Sequence, residues 1–178
     1  GHRTCFLVTN NENNICEEVT YERNKKVIHG YAKPNGEEVQ GLKNNNLRYY
    51  QTELFDRSLN HQSKKNLFSA LVDTIRIKEN CYSELRRWGR LNLEGKETFL
   101  RAFEDGERKL LMVFDSRVIS HVVQEIKAMN ITSENIKIYV FADGSYPYTE
   151  DFKEAIDKVT LTAMPAAVIK ALKYILPA

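Results

Sequence analysis

Between Arg108 and Ala163 short apolar runs alternate with stretches that carry helical spacing. The runs are Arg108-Lys-Leu-Leu-Met-Val-Phe114, Ile136-Lys-Ile-Tyr-Val-Phe141 and Val159-Thr-Leu-Thr-Ala163. The spacers predict helices from Ser116 to Met129 and from Thr149 to Asp157, with a closing helix from Pro165. Apolar runs separated by helices of about ten residues are the pattern of a parallel sheet with crossover helices. Upstream lies a further run, Lys96 to Phe103. Before it, a segment from Ser63 to about Arg87 carries Leu67, Phe68, Leu71, Val72, Ile75 and Ile77 as an apolar helical stripe. Leu47-Arg-Tyr-Tyr-Gln-Thr-Glu-Leu-Phe55 is rich in aromatics and suits a strand.

The first part of the chain reads differently. Cys5-Phe-Leu-Val-Thr9 is an apolar run that breaks into the polar cluster Asn10 to Asn14, as a buried strand does at its end. Thr20 is placed to cap a helix that runs to His29 and stops at Gly30, with Lys25, Lys26 and His29 at the end where the helix dipole favours cations. Tyr31 to Asn46 reads as loop, with a turn at Pro34-Asn35-Gly36. The domain boundary is expected there, dividing the chain into 1–46 and 47–178.

Composition narrows the class without naming a function. A chain of 178 residues, 42% apolar and 28% charged, has the make-up of a globular protein, and its net charge of +2 is too small to argue for a polyanion partner. Cys5, Cys16 and Cys81 show no paired spacing, and His2, His29, His61 and His121 no ligand spacing, so neither a disulfide framework nor a metal site is expected. No apolar run approaches a membrane span and no signal peptide opens the chain, which makes the cytoplasm the expected location.

Three places invite chemistry. Glu12 follows the first apolar run, where an acidic side chain can accept hydrogen bonds from both hydroxyls of a ribose; the other reading is a turn capped by its asparagines. Asp115 and Asp143 follow strand ends too, as ligands for a cation or a ribose or, more simply, as helix caps. From Arg57 to Arg101, ten Lys or Arg face five acids, and Arg86, Arg87, Trp88 and Arg90 lie inside that excess. Such a patch can hold a nucleic-acid backbone or an acidic partner, or it can be a solvated face with Trp88 packed in the core.

Phe6-Leu-Val-Thr-Asn-Asn-Glu-Asn13, Val19-Thr-Tyr-Glu-Arg23, Lys26-Val-Ile-His-Gly30, Leu47-Arg-Tyr-Tyr-Gln-Thr-Glu53 and Val159-Thr-Leu-Thr-Ala-Met-Pro165 occur in this order. Together they resemble the C-terminal part of the adenine-specific DNA methyltransferases of type III restriction–modification systems, the Mod subunits. The resemblance implies an edge fragment of a Rossmann-like methyltransferase sheet followed by a small three-layer parallel α/β domain. It also implies transfer of a methyl group from S-adenosylmethionine to the N6 of a flipped DNA adenine, with Glu12 as a cofactor ligand. DNA, a second Mod copy and the restriction (Res) subunit are the implied partners. The family's Asp-Pro-Pro-Tyr motif and its Phe-x-Gly-x-Gly cofactor loop are missing from this sequence, so no residue here is expected to be catalytic and the chain is expected to be inactive alone. The last helix, apolar nearly all round from Ala166 to Leu176, suggests that the C-terminal domain serves assembly. The rival expectation is a stand-alone, non-enzymatic protein- or DNA-interaction module.

Overall fold

The structure, a computed structural model, describes residues 5–52, 54, 60–129, 135–141 and 148–173. The chain separates into two units, Gly1–Leu54 and Phe55–Ala178.

The second unit is a mixed α/β domain. Helix α2 (His61–Glu79) starts at Asn60, whose side chain accepts from the Ser63 N–H at 2.8 Å, and ends at Asn80 in the left-handed region (φ 51°). Its stripe buries Phe68, Val72 and Ile75. Then come β3 (Ser83–Leu85), a small hairpin of β4 (Arg87–Trp88) and β5 (Leu91–Asn92), and a longer hairpin of β6 (Leu100–Asp105) and β7 (Arg108–Val113). A 3₁₀ turn leads into α3 (Ile119–Ala128), followed by β8 (Ile136–Val140), β9 (Thr160–Ala163) and α4 (Ala166–Leu172). The five-stranded sheet has the order β3-β6-β7-β8-β9. Its first two pairings are antiparallel and its last two parallel.

Side-chain alternation along the strands splits the core into two layers. Ala102, Leu111, Val113, Ile138 and Val140 face Ile119, Val122, Val123 and Ile126 of α3. Phe103, Leu110, Met112 and Tyr139 face Phe68, Val72 and Ile75 of α2 and Val168 of α4. Helices on both faces explain why Leu110 to Val113 are apolar without a break.

Several expectations change. The three parallel runs are β7, β8 and β9, but the sheet is not parallel throughout: Gly106 (φ 61°) turns the chain tightly, so β6 returns antiparallel to β7. Residues 149–155 form turns rather than a helix, followed by a 3₁₀ turn at Ile156–Lys158. Ala155 (φ −132°) leaves the helical region although Phe152, Ala155 and Val159 are buried at helical spacing. Helix α2 stops at Glu79, and part of the stretch up to Arg87 is strand instead. Val168 is buried under the chain's own sheet, so one face of the closing helix needs no partner to cover it. Residues 174–176, at the end of the apolar closing helix, lie outside the described residues.

The first unit is built of a 3₁₀ turn (Glu12–Asn14), a π-helical turn (Cys16–Tyr21), α1 (Glu22–His29), and a hairpin of β1 (Gly30–Ala32) and β2 (Glu38–Gln40). The helical path thus begins before Thr20, which caps nothing, and the expected loop contains a hairpin closed over Pro34-Asn35-Gly36. Gly41 has to be glycine: a Cβ there would stand 2.3 Å from the Ile28 carbonyl oxygen. Residues 5–9 and 47–52 are in no strand. The Tyr49 hydroxyl donates to Glu17 at 3.0 Å, and its ring meets Tyr21 edge-on at 6.1 Å. No described residue of this unit is buried.

One cluster in the sheet predicts a pH dependence. Glu79, at the end of α2, accepts from Lys137 (2.7 Å) and from the hydroxyl of buried Tyr139, to which Lys78 also reaches (3.1 Å). Burial pushes the Glu79 carboxyl up, but the hydrogen bonds from Lys137 and Tyr139 outweigh it and hold it below its ordinary value of 4.5. A carboxyl depressed by folding stabilises above its unfolded value and loses that contribution as pH falls through its folded value. Glu79→Gln should therefore cost about 1–3 kcal/mol at neutral pH, the scale for hydrogen bonds to a charged group. Denaturant midpoints should converge for the two proteins as pH is lowered below 4.5.

Candidate functional site

Glu12 sits where the chain leaves its first apolar run. Asn11, Asn13 and Asn14 all take the left-handed conformation (φ 53°, 52° and 57°), which asparagine tolerates because its short amide bonds locally. Asn11 Oδ1 accepts from the Cys16 N–H at 2.9 Å, and Asn10 Oδ1 accepts from the Glu12 N–H at 3.3 Å. The asparagines thus do cap the turn. Glu12 itself is exposed, and one carboxylate oxygen meets Asn10 Nδ2 at 3.4 Å. Its other oxygen has no protein partner among the described residues. Capping and ligand binding fall to different side chains, so the two readings of this stretch are compatible.

The basic stretch is not one surface. Trp88 is 1% exposed and belongs to the core against α3, so it is no surface residue. The β4–β5 hairpin turns on Gly89 (φ 56°) and Arg90, as a two-residue turn with glycine first requires. The turn is pinned by Glu125 of α3, a carboxylate only 8% exposed, which accepts from the Arg90 N–H at 2.8 Å and from Arg90 Nε at 3.2 Å. Arg86 pairs with Glu94 at 3.6 Å, and Arg101 clasps Glu84 through two bonds of 2.7 and 2.8 Å. Arg87 is exposed. Much of the local positive excess is thereby spent inside the domain.

Beside this hairpin lies a groove of about 420 Å³ lined by Glu84, Leu85, Arg86, Leu93, Glu94, Glu97, Leu100 and Arg101. Three carboxylates oppose two guanidiniums there. The backbone N–H groups of Glu97 itself and of Gly95 hold the Glu97 carboxyl below its usual range, so it stays ionised. Such a lining does not suit a phosphate backbone.

Asp115 is a cap. Its Oδ1 accepts from the Arg117 N–H at 2.9 Å, and the Arg117 guanidinium, the main cause, holds its carboxyl below the ordinary range. Asp143 lies outside the described residues. No group of three or more His, Cys, Asp or Glu among the described residues could hold a metal ion. Nor is any described helix long and apolar enough to cross a membrane. The buried group around Glu79 and Tyr139 escaped sequence reasoning, because nothing in a strand's spelling says which helix end will meet it.

Compared with models of protein families, with curated proteins and with solved structures, the chain matches none.

Proposed function

We propose that this chain is the C-terminal part of an S-adenosylmethionine-dependent DNA adenine-N6 methyltransferase of the type III restriction–modification kind. In this reading residues 1–46 are the end of the Rossmann-like cofactor domain, and residues 47–178 hold an assembly domain that meets a second Mod copy or the restriction subunit. DNA would be held by parts of the enzyme other than the groove beside β4 and β5. The observation that carries the reading is the state of the first unit. Phe6, Leu7 and Val8 are 71%, 65% and 95% exposed, and no described residue up to Leu54 is buried. Three consecutive apolar residues leave neither face of the backbone polar, which is the signature of an inner strand of a covered sheet rather than of a surface segment. Glu12, four residues after Val8, then falls where a ribose ligand belongs.

The test is cofactor binding by the polypeptide encoded in frame through Gly1 with its upstream sequence. Titration calorimetry should show S-adenosylmethionine binding, and Glu12→Ala should weaken it by about 1–3 kcal/mol, the scale for hydrogen bonds to a charged acceptor. An unchanged dissociation constant would make Glu12 a turn residue only.

A second reading, a separate interaction module, is favoured by one feature: the second unit fills both faces of its sheet and so has a core of its own. A stop codon followed by a start site just before Gly1 would favour it.

A further inference from the structure

The hairpin of the first unit closes on the only Asn-Gly pair in the sequence. The Lys33 N–H donates to the Glu37 carbonyl at 2.8 Å and the Gly36 N–H to the Lys33 carbonyl at 2.9 Å, so Pro34, Asn35 and Gly36 form a three-residue loop whose third position is left-handed (φ 83°). Every other asparagine is followed by a residue whose side chain crowds the next backbone nitrogen. Gly36 has no side chain, and nothing lies within 4 Å of the place a Cβ would take. Asn35 is exposed, and its Oδ1 accepts from the Glu37 N–H at 3.1 Å, a bond that draws electrons from the amide carbon. Its Nδ2 has no partner among the described residues. The restraint on this pair is the bond that holds the Gly36 N–H. That bond belongs to a unit in which no described residue is buried, and segments with few buried contacts open at little cost.

We propose that Asn35 is a self-modification site, where the chain converts asparagine to aspartate and isoaspartate and, through the isoaspartyl product, opens its own hairpin. When the bond to Lys33 opens, hydroxide takes the Gly36 amide proton and the nitrogen attacks Asn35 Cγ. The charge that forms on Oδ1 faces the Glu37 N–H, a donor already in place. Nδ2 takes a proton from water and leaves as ammonia, which closes a succinimide ring between Asn35 and Gly36. Water then opens the ring at one of its two carbonyls. Opening at Cγ gives aspartate, and opening at the main-chain carbonyl gives isoaspartate, whose backbone runs through Cβ and is longer by one atom. A loop closed by the two bonds at Lys33 has no place for that atom, because the register Gly30–Gln40, Tyr31–Val39 and Ala32–Glu38 depends on loop length. The inference stands on the first unit alone, whether or not the methyltransferase reading holds.

Ageing the purified chain in buffers of neutral to mildly alkaline pH, followed by peptide mapping with mass spectrometry, tests the first step. Asn35 should be the first asparagine lost, at a rate that rises in proportion to hydroxide concentration, and heavy-oxygen water should label both products. Loss of another asparagine first, or an intact Asn35 when a peptide of residues 31–40 has fully converted under the same conditions, overturns the proposal. Hydrogen exchange on the separated products tests the second step. The Lys33 amide should lose its protection in the isoaspartyl form and keep it in Asn35→Asp, which carries the same new charge on a backbone of normal length. Equal protection in the two forms would show that the modification does not open the hairpin, and loss in both would assign the opening to charge instead of backbone length; either result overturns it.

Discussion

Trp88→Ala should destabilise the second unit by about 3–5 kcal/mol, the range for removing a buried large aromatic. The side chain is 1% exposed and packs with Leu93, Leu111, Val122 and Ile126 between the β4–β5 hairpin and α3. Its indole N–H has no hydrogen-bond partner among the described residues, so the loss is one of packing and not of a bond. Domains of this size hold on the order of 5–15 kcal/mol in total, which makes the change a large part of the whole. Denaturant unfolding followed by far-ultraviolet circular dichroism measures it. Arg87→Ala, one residue away and exposed, should stay within about 0.5 kcal/mol of the parent. If the two substitutions cost the same, the tryptophan is not the core residue described.

Val8→Asp should have opposite outcomes in two settings. In this chain Val8 is 95% exposed, so the substitution should move stability by no more than about 0.5 kcal/mol. In the polypeptide extended upstream, the proposed function covers this residue within a sheet, where a buried, unpaired carboxylate costs about 3–5 kcal/mol. Thermal unfolding of the four proteins gives the comparison. Equal and small shifts in both settings would mean that nothing covers the segment.

Legibility followed from where each segment finds its partners. The runs that became β7 and β8 were readable because helices of the same unit cover both faces of residues 110–113 and 138–140, which burial left apolar. Helix α3 was readable from its stripe and from Asp115, which caps the 3₁₀ turn leading into it. The small hairpin was not, because Trp88-Gly89-Arg90 lies in a basic run whose charges hid a core residue and a turn. Residues 149–155 carry helical spacing that the backbone satisfies with turns, a distinction periodicity does not make. For Cys5 to Thr9 the apolar spelling predicts a strand, and the structure gives it none because a strand exists only with a neighbour to bond. Of the candidate site, Glu12 stands exposed at the expected turn, whereas Arg86, Arg90 and Trp88 are drawn into contacts that only the fold reveals.

The most direct measurement is transfer of labelled methyl groups from S-adenosylmethionine to duplex DNA, with N6-methyladenine as the product analysed. The polypeptide that runs in frame through Gly1 from its upstream coding sequence should form N6-methyladenine, and the 178-residue chain alone should form none. Product from the chain alone, or none from a folded extended polypeptide on DNA of varied sequence, would contradict the methyltransferase reading.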